Sequence, residues 1–305
     1  MYATLSPPWK KSLLLVFVSV VAFVTATPAT SGPQCFFQGL GFLPGGNFSG
    51  AFGVSANGTV VVGSSGSLPP PTTRIQAFRW TAASGMVGLG FLPGANRSDA
   101  TGVNADGTVV VGVSGDQPGG QAFRWVNGTM TGLGFLPGAN RSDATGVNAD
   151  GTVVVGGSSP VLITAGGQAF RWVNGTMTGL GFLPGGNESF ATGVNADGTV
   201  VVGLARDASG AFQASRWTAE TRMQSVLTLL QAAGVVTMAG WQLRSANGVS
   251  ADGTVIVGDG VDPLGNVQAW IARLPEDNED CKEDENELEG ARSKRLIMED
   301  RVLGY

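Results

Sequence analysis

Histidine is absent from the 305 residues, and cysteine occurs only twice, at Cys35 and Cys281. The first absence removes the commonest general base and metal ligand, and the second leaves no cysteine-rich metal site. Charge is sparse as well: 13% of residues are Asp, Glu, Lys or Arg, and the formal net charge is -5. Phosphate binding needs clustered Lys and Arg, which no segment supplies, so nucleic acid is set aside as a partner. A bilayer-spanning run of roughly 20 apolar residues is also missing. The apolar stretch Leu13–Val24 is shorter, follows Lys10 and Lys11, and leads into Val24-Thr25-Ala26, the pattern of a cleaved signal peptide. The chain is therefore expected to be secreted, with residues 1–26 removed and no membrane attachment afterwards. Gly32-Pro33-Gln34 lacks the small and aliphatic residues that precede a lipidated cysteine, which argues against an anchor on Cys35.

Glycine is what the chain has in abundance, 48 residues without a collagen-like period, beside a hydrophobic content of 43%. That is the composition of a turn-rich globular protein. The glycines belong to a tandem repeat. Val-x-Ala-(Asp/Asn)-Gly-Thr-Val-(Val/Ile)-Val-Gly recurs at 54–63, 103–112, 147–156, 194–203 and 249–258. Ala-Phe-Arg-Trp stands at 77–80, 122–125 and 169–172, becoming Ala-Ser-Arg-Trp at 214–217 and Ala-Trp-Ile-Ala at 269–272. Gly-Leu-Gly-Phe-Leu-Pro-Gly stands at 39–45, 88–94, 132–138 and 179–185. Residues 88–112 and 132–156 are identical, the mark of a duplication whose copies have not drifted.

Each repeat reads as four short strands. In the second, Asp99–Val103 leads through Asp106-Gly107 to Val109–Val111, three β-branched residues that suit a strand buried on both faces. Gln121–Trp125 then turns at Asn127-Gly128 into Met130–Leu136, so the unit is an antiparallel meander. Two apolar faces must be covered by neighbouring units, which points to a propeller. The array opens at Gln38–Leu43 with a fourth-strand phrase and its last repeat stops after a third strand. The expected fold is thus an all-β, five-bladed β-propeller-like domain over 38–275, closed by the N-terminal strand. Residues 27–37 are a linker, and 276–305 an acidic tail of disordered composition carrying Arg292-Ser-Lys-Arg295. One helical insertion is expected over Thr221–Ala233, with Thr221 and Gln224 as a capping box and Gly234 at the exit.

The phrases Ala-Phe-Arg-Trp, Gly-Leu-Gly-Phe-Leu-Pro-Gly and Gly-Val-x-Ala-Asp-Gly-Thr-Val-Val-Val-Gly together resemble the HAF-repeat family of extracellular proteins. Leu230–Gly234, Gly240-Trp241, Gly248–Gly258 and Ala269–Leu274 are similar to the ending common in that family. The likeness spans residues 38–274 and implies export and a repeat architecture, but no reaction and no catalytic residues. The family's histidine is glutamine here, at Gln76, Gln121 and Gln168.

No cofactor, metal or catalytic residue is assigned. The pairs Asp106-Gly107, Asp150-Gly151, Asp197-Gly198 and Asp252-Gly253 each offer one carboxylate where calcium needs six or more oxygens, so they read as turns. Trp80, Trp125, Trp172, Trp217 and Trp270 could form sugar platforms but read as packing between blades. Arg79, Arg124, Arg171 and Arg216 are expected to pair with Asp99 or Asp143 rather than to ring an anion. Outside the turns and the tail, Asp99, Asp116, Asp143, Glu188, Asp207, Glu220, Asp259 and Asp262 are scattered, which disfavours a glycosidase. Sequons stand at Asn47, Asn57, Asn96, Asn127, Asn140, Asn174 and Asn187. Cys35 and Cys281 are expected to form a disulfide that clasps the ring.

The leading reading is a secreted, non-catalytic, monomeric binding or scaffold module with an extracellular protein or glycan as partner. The alternatives are a glycan-active propeller enzyme and a purely structural surface or matrix protein. The expected binding face comprises the loops Ser64–Ile75, Val113–Gly120, Gly157–Gly167, Leu204–Ala211 and Asp259–Asn266, which vary while the strands around them hardly change.

Overall fold

The computed structural model describes residues 37–67, 74–116, 119–161 and 166–274. Residues 40–274 belong to one compact unit; of the separate unit formed by residues 1–39, only 37–39 are described, and they form no strand. The fold is all-β with one short helix. Four sheets are four-stranded meanders: β1 (Phe48–Val54), β2 (Val60–Gly66), β3 (Ile75–Thr81) and β4 (Gly85–Gly88); β5 (Ser98–Val103), β6 (Val109–Ser114), β7 (Gln121–Val126) and β8 (Thr129–Gly132); β9 (Arg141–Val147), β10 (Val153–Ser159), β11 (Gln168–Val173) and β12 (Thr176–Gly179); β13 (Ser189–Val194), β14 (Val201–Arg206), β15 (Phe212–Thr218) and β16 (Arg222–Ser225). After α1 (Val226–Ala232), a fifth sheet has three strands, β17 (Gln242–Val249), β18 (Val255–Val261) and β19 (Val267–Arg273).

In the second and third sheets the valine triplets lie in the second strand, paired on both sides and buried throughout, as their β-branching suggests, whereas the fifth sheet's triplet leaves Val257 exposed. In the second, third and fourth sheets one face of the triplet meets the preceding sheet and the other meets the next. Val60, Val62 and Ala77 of the first sheet, for example, share a core with Ala100, Val110 and Phe123 of the second. The same core recurs between the second and third sheets and between the third and fourth. The innermost strands come closest. A Cβ added to Gly53, Gly102, Gly146 or Gly193 would lie 3.6, 3.9, 3.6 or 3.8 Å from the Cα of the matching glycine on the next inner strand. Those separations are ordinary van der Waals contact; a side chain there is opposed by the valine of its own sheet, Val62, Val111 and Val155 at 3.1, 3.2 and 3.2 Å from the added Cβ of Gly53, Gly102 and Gly146, so the inner strands line up as a column of matching glycines.

The column stops at Gly248, where no first-sheet backbone lies within reach, and the array is not closed. This corrects the expected closure by an N-terminal strand. Residues 37–42 are not a strand, and among the described residues the fifth sheet has no fourth one. The cause lies in Gly-Leu-Gly-Phe-Leu-Pro-Gly, whose third residue has a φ of 76° at Gly41, 85° at Gly90, 82° at Gly134 and 81° at Gly181. A left-handed residue ends the fourth strand early and turns the phrase into a connector. Its two leucines then fill the space between successive sheets, as Leu89 and Leu92 do between the first and second. The N-terminal copy does the same work, packing Leu40 and Leu43 onto Phe78 and Trp80 of the first sheet.

The helix is also shorter than expected. Thr221 and Gln224 make no capping box, because Arg222–Ser225 pairs with β15 as a fourth strand and Ser225 becomes the N-cap without a side-chain cap. Gly234 does take the exit, at a φ of 76°. Val226 and Leu230 occupy the place of the connector leucines between the fourth and fifth sheets. The signal segment, the linker up to residue 36, the tail, Cys35 and Cys281 lie outside the described residues; the strand pairing that was expected to bring the two cysteines together is not formed.

Candidate functional site

The recurring polar residues are engaged in holding sheets together. Arg79, Arg124 and Arg171 donate through Nε to the carbonyls of Gly107, Gly151 and Gly198 in the next sheet's first hairpin, each at 3.0 Å. The expected partners Asp99 and Asp143 instead pair with Arg97 and Arg141, two residues before them on the same strand edge, at 2.8 and 2.7 Å. The reason is reach: the third-strand arginine projects across to the neighbouring sheet's turn, which presents its carbonyl there.

Sequence reasoning missed a second set of latches. Ser98, Ser142 and Ser189 are buried, accept from the N–H of Ala77, Ala122 and Ala169, and donate to the carbonyls of Gly90, Gly134 and Gly181. Along the hairpins, Ala56, Ala105, Ala149 and Ala196 each donate an N–H to the carbonyl of the next alanine, the row ending at Ala251. A serine or alanine once per repeat gives no hint of a partner about 20 to 50 residues away.

The Asp-Gly segments are turns, as expected, although the loops hold five residues, and six in the fourth sheet. Each of Asp106, Asp150 and Asp197 accepts through Oδ1 from the hydroxyl and the N–H of the threonine two positions on. Those bonds favour the ionised form and lower all three carboxyl pKa values. Asp252 is drawn down to about 2 by the Ser250 hydroxyl and by the Thr254 N–H and hydroxyl. The outer hairpins follow the sequence reading, with Asn127-Gly128 and Asn174-Gly175 at φ of 49° and 86° in both.

The loops between second and third strands lie on the rim opposite these hairpins. Only Leu204–Ala211 and Asp259–Asn266 are fully described. Both close on an aspartate. Asp207 accepts from the Ser209 hydroxyl and N–H, from Gln213 and from the Ala211 N–H, which lowers its pKa to about 2. Asp262 similarly holds Asn266, Gln268 and the Leu264 N–H, with its pKa lowered. Arg206 bridges this rim, 2.6 Å from Glu188 and 4.1 Å from the Phe212 ring centroid.

The connectors cross the same rim and carry its exposed aromatics. Phe42, Phe135 and Phe182 are exposed, while Phe91 is half-buried beneath the Arg74 guanidinium, 4.6 Å from the ring centroid. These are the same position of the repeat, one phenylalanine per connector. The tryptophans, by contrast, pack: Trp80 and Trp217 are buried, and Trp125 and Trp172 sit against the intersheet cores. Trp270 pairs with Gly258, the register of Phe78, Phe123 and Phe170 rather than of the other tryptophans. All seven sequon asparagines are exposed; Asn47, Asn96, Asn140 and Asn187 follow the connectors on this rim, and Asn57, Asn127 and Asn174 lie on the hairpin rim. Among the described residues no group of three or more Cys, Asp or Glu side chains could hold a metal. No helix among them is long and apolar enough to cross a membrane.

The fold and this rim can be set beside known proteins. No family model matches the sequence, and no curated protein does. Among solved structures, a TolB protein from Agrobacterium tumefaciens is similar at 12% identity and a TM-score of 0.44, over 76% of this chain and 91% of that one. TolB from Acinetobacter baumannii is similar at 12% identity and a TM-score of 0.46, over 74% of this chain and 53% of that one. The acylaminoacyl peptidase of Pyrococcus horikoshii follows at 9% identity and a TM-score of 0.42, over 76% of this chain and 38% of that one.

Proposed function

We propose that this is a secreted, non-catalytic protein of the HAF-repeat kind, whose five sheets act as propeller blades presenting a binding rim to an extracellular protein or glycan. The observation that supports it is the row of connector phenylalanines, exposed at Phe42, Phe135 and Phe182, beside loops that differ from repeat to repeat. Exposed aromatics spaced by a rigid scaffold supply contact area at low entropic cost, which is what a binding surface needs. The loops on aspartates 207 and 262 are held by their own hydrogen bonds, so little ordering would be required on binding. Glycans on Asn47, Asn96, Asn140 or Asn187 would flank the row and restrict the partner to one that fits between them.

The test is capture from glycan and extracellular-protein arrays by the purified protein, repeated with Phe135→Ser and Phe182→Ser combined. A partner whose affinity falls about tenfold or more in that variant supports the rim. Captured partners that bind the variant unchanged would overturn it, and an array without hits would favour a purely structural role.

A further inference from the structure

The two ends of the array carry opposite halves of one interface. At each junction between sheets, the outgoing half consists of the second-strand valines and the third-strand alanine. Val62, Val111, Val155 and Val202 are 0, 0, 0 and 1% exposed there, and Ala77, Ala122, Ala169 and Ala214 are buried with them. On the fifth sheet the same register positions are Val257, 43% exposed, and Ala269, also exposed. The neighbouring Ile271 is 74% exposed and stands where the other sheets place the arginine that reaches the next turn. A polar bond has there been exchanged for more apolar surface.

The incoming half is left partly open on the first sheet, where Leu40 and Leu43 cover Phe78 and Trp80 but not the inner strand. Ala100, Ala144, Ala191 and Ala246 are at most 1% exposed against the sheet before them, and Val103, Val147, Val194 and Val249 pack on the same cores. Their counterparts Ala51 and Val54 are exposed, the latter at 60%. The alanine row likewise ends with the Ala56 carbonyl at one end and the Ala251 N–H at the other. The glycine column ends with Gly53 and Gly248. Terminal units of a repeat array ordinarily carry a polar outer face; the first sheet presents Ala51 and Val54 there, and on the fifth the hydrogen-bonded group Ser245, Asn247 and Asp259 stands beside the apolar Val257, Ala269 and Ile271.

We propose that the outward face of the fifth sheet docks on the first sheet of a second copy of this chain, adding a fifth junction of the kind already present four times within it. Continuity of register selects the occupant. Val257, Ala269 and Ile271 would cover Ala51, Val54 and the connector leucines Leu40 and Leu43, with the Ala251 N–H directed at the Ala56 carbonyl. The chain's own first sheet is not packed on this face, since the array is open. Such a contact is head-to-tail, so it uses two different patches and leaves one of each free on a dimer.

The test is native mass spectrometry and sedimentation of the full chain as concentration rises, with Val257→Glu plus Ile271→Glu as one variant and Ala51→Glu plus Val54→Glu as the other. All four positions are exposed, and circular dichroism checks that both variants fold. Wild type is expected at twice the chain mass or more, and each variant alone as monomer. Mixed, the two variants are expected to form a 1:1 dimer, because each retains the patch the other has lost. Wild type that stays monomeric at every concentration, variants that associate as wild type does, or a mixture that does not pair would each overturn the proposal.

Discussion

The middle sheets and the end sheets are written in nearly the same residues, yet they bury them differently. Val155 in the third sheet has no exposed surface, while Val257, at the same register in the fifth, is 43% exposed. A repeat of this kind specifies half of two interfaces rather than a core of its own, so burial is a property of position in the array. The energetic value of a residue should follow its neighbours and not its motif.

The largest test of that contrast is Phe123→Ala against Ile271→Ala. Phe123 is fully buried between the first and second sheets, so its truncation is expected to cost about 3–5 kcal/mol of unfolding free energy. Ile271 lies on the open face, and its truncation in the monomer is expected to stay within about 0.5 kcal/mol. Urea denaturation of both variants at low concentration checks the pair; equal losses would mean that the fifth sheet's face is covered. A smaller version compares Ser142→Ala with Ser49→Ala. Ser142 links Ala122 to Gly134 while buried, so its loss is expected to cost about 1–3 kcal/mol. Ser49 occupies the same register in the first sheet, donates only to the Gly41 carbonyl and is exposed, so about 0.5 kcal/mol or less is expected.

How much of this was legible in the sequence also divides along the same line. The Val-Val-Val and Ala-Phe-Arg-Trp strands, the Asn-Gly turns and the order of the five units follow from local chemistry, and they stand where the residues put them. The connector did not, because Leu-Gly-Phe-Leu reads as strand until the left-handed φ of Gly90 or Gly134 is known. The partners of Arg79 and Ser98 lie on other sheets, and their identity depends on how neighbours are placed. That the second-to-third loops share one rim was legible from the four-strand meander, but the exposure of the connector phenylalanines there was not, since a repeated aromatic reads equally as core.

Acid should separate the hairpins of the first sheet from those that follow. Asp106, Asp150, Asp197 and Asp252 have lowered pKa values in the fold, whereas Asn57 fills the same place in the first hairpin and cannot titrate. A carboxyl depressed on folding contributes stability that is complete above its unfolded pKa, near 4, and is lost as pH falls through the folded value, about 2 for Asp252. The amide signals of Thr108, Thr152, Thr199 and Thr254 are therefore expected to titrate as pH falls from about 4 toward 2, with that of Thr59 unmoved. Thermal midpoints should decline over the same range, and D150N should silence the Thr152 signal alone.

The smallest expected effect contrasts the outer hairpins of the first and fourth sheets. Gly85 and Arg222 hold the same register, opposite Thr81 and Thr218, with φ of 65° and 60°. Glycine adopts that conformation freely, whereas an arginine Cβ there crowds the following carbonyl at a cost of roughly 1–2 kcal/mol. Arg222 is exposed, so its side chain adds little packing in return. Arg222→Gly relieves the crowding but also gives the unfolded chain more freedom, and the two terms together predict a net stabilisation of about 0.5–1 kcal/mol. The reciprocal Gly85→Ala should destabilise by a similar amount, because no atom stands within 4 Å of the added Cβ and only the backbone conformation resists it. Denaturation midpoints moving in opposite directions for the two variants would confirm that the hairpins share one geometry. A destabilised Arg222→Gly would instead show that the arginine side chain has an interaction of its own, one that the register with Gly85 does not reveal.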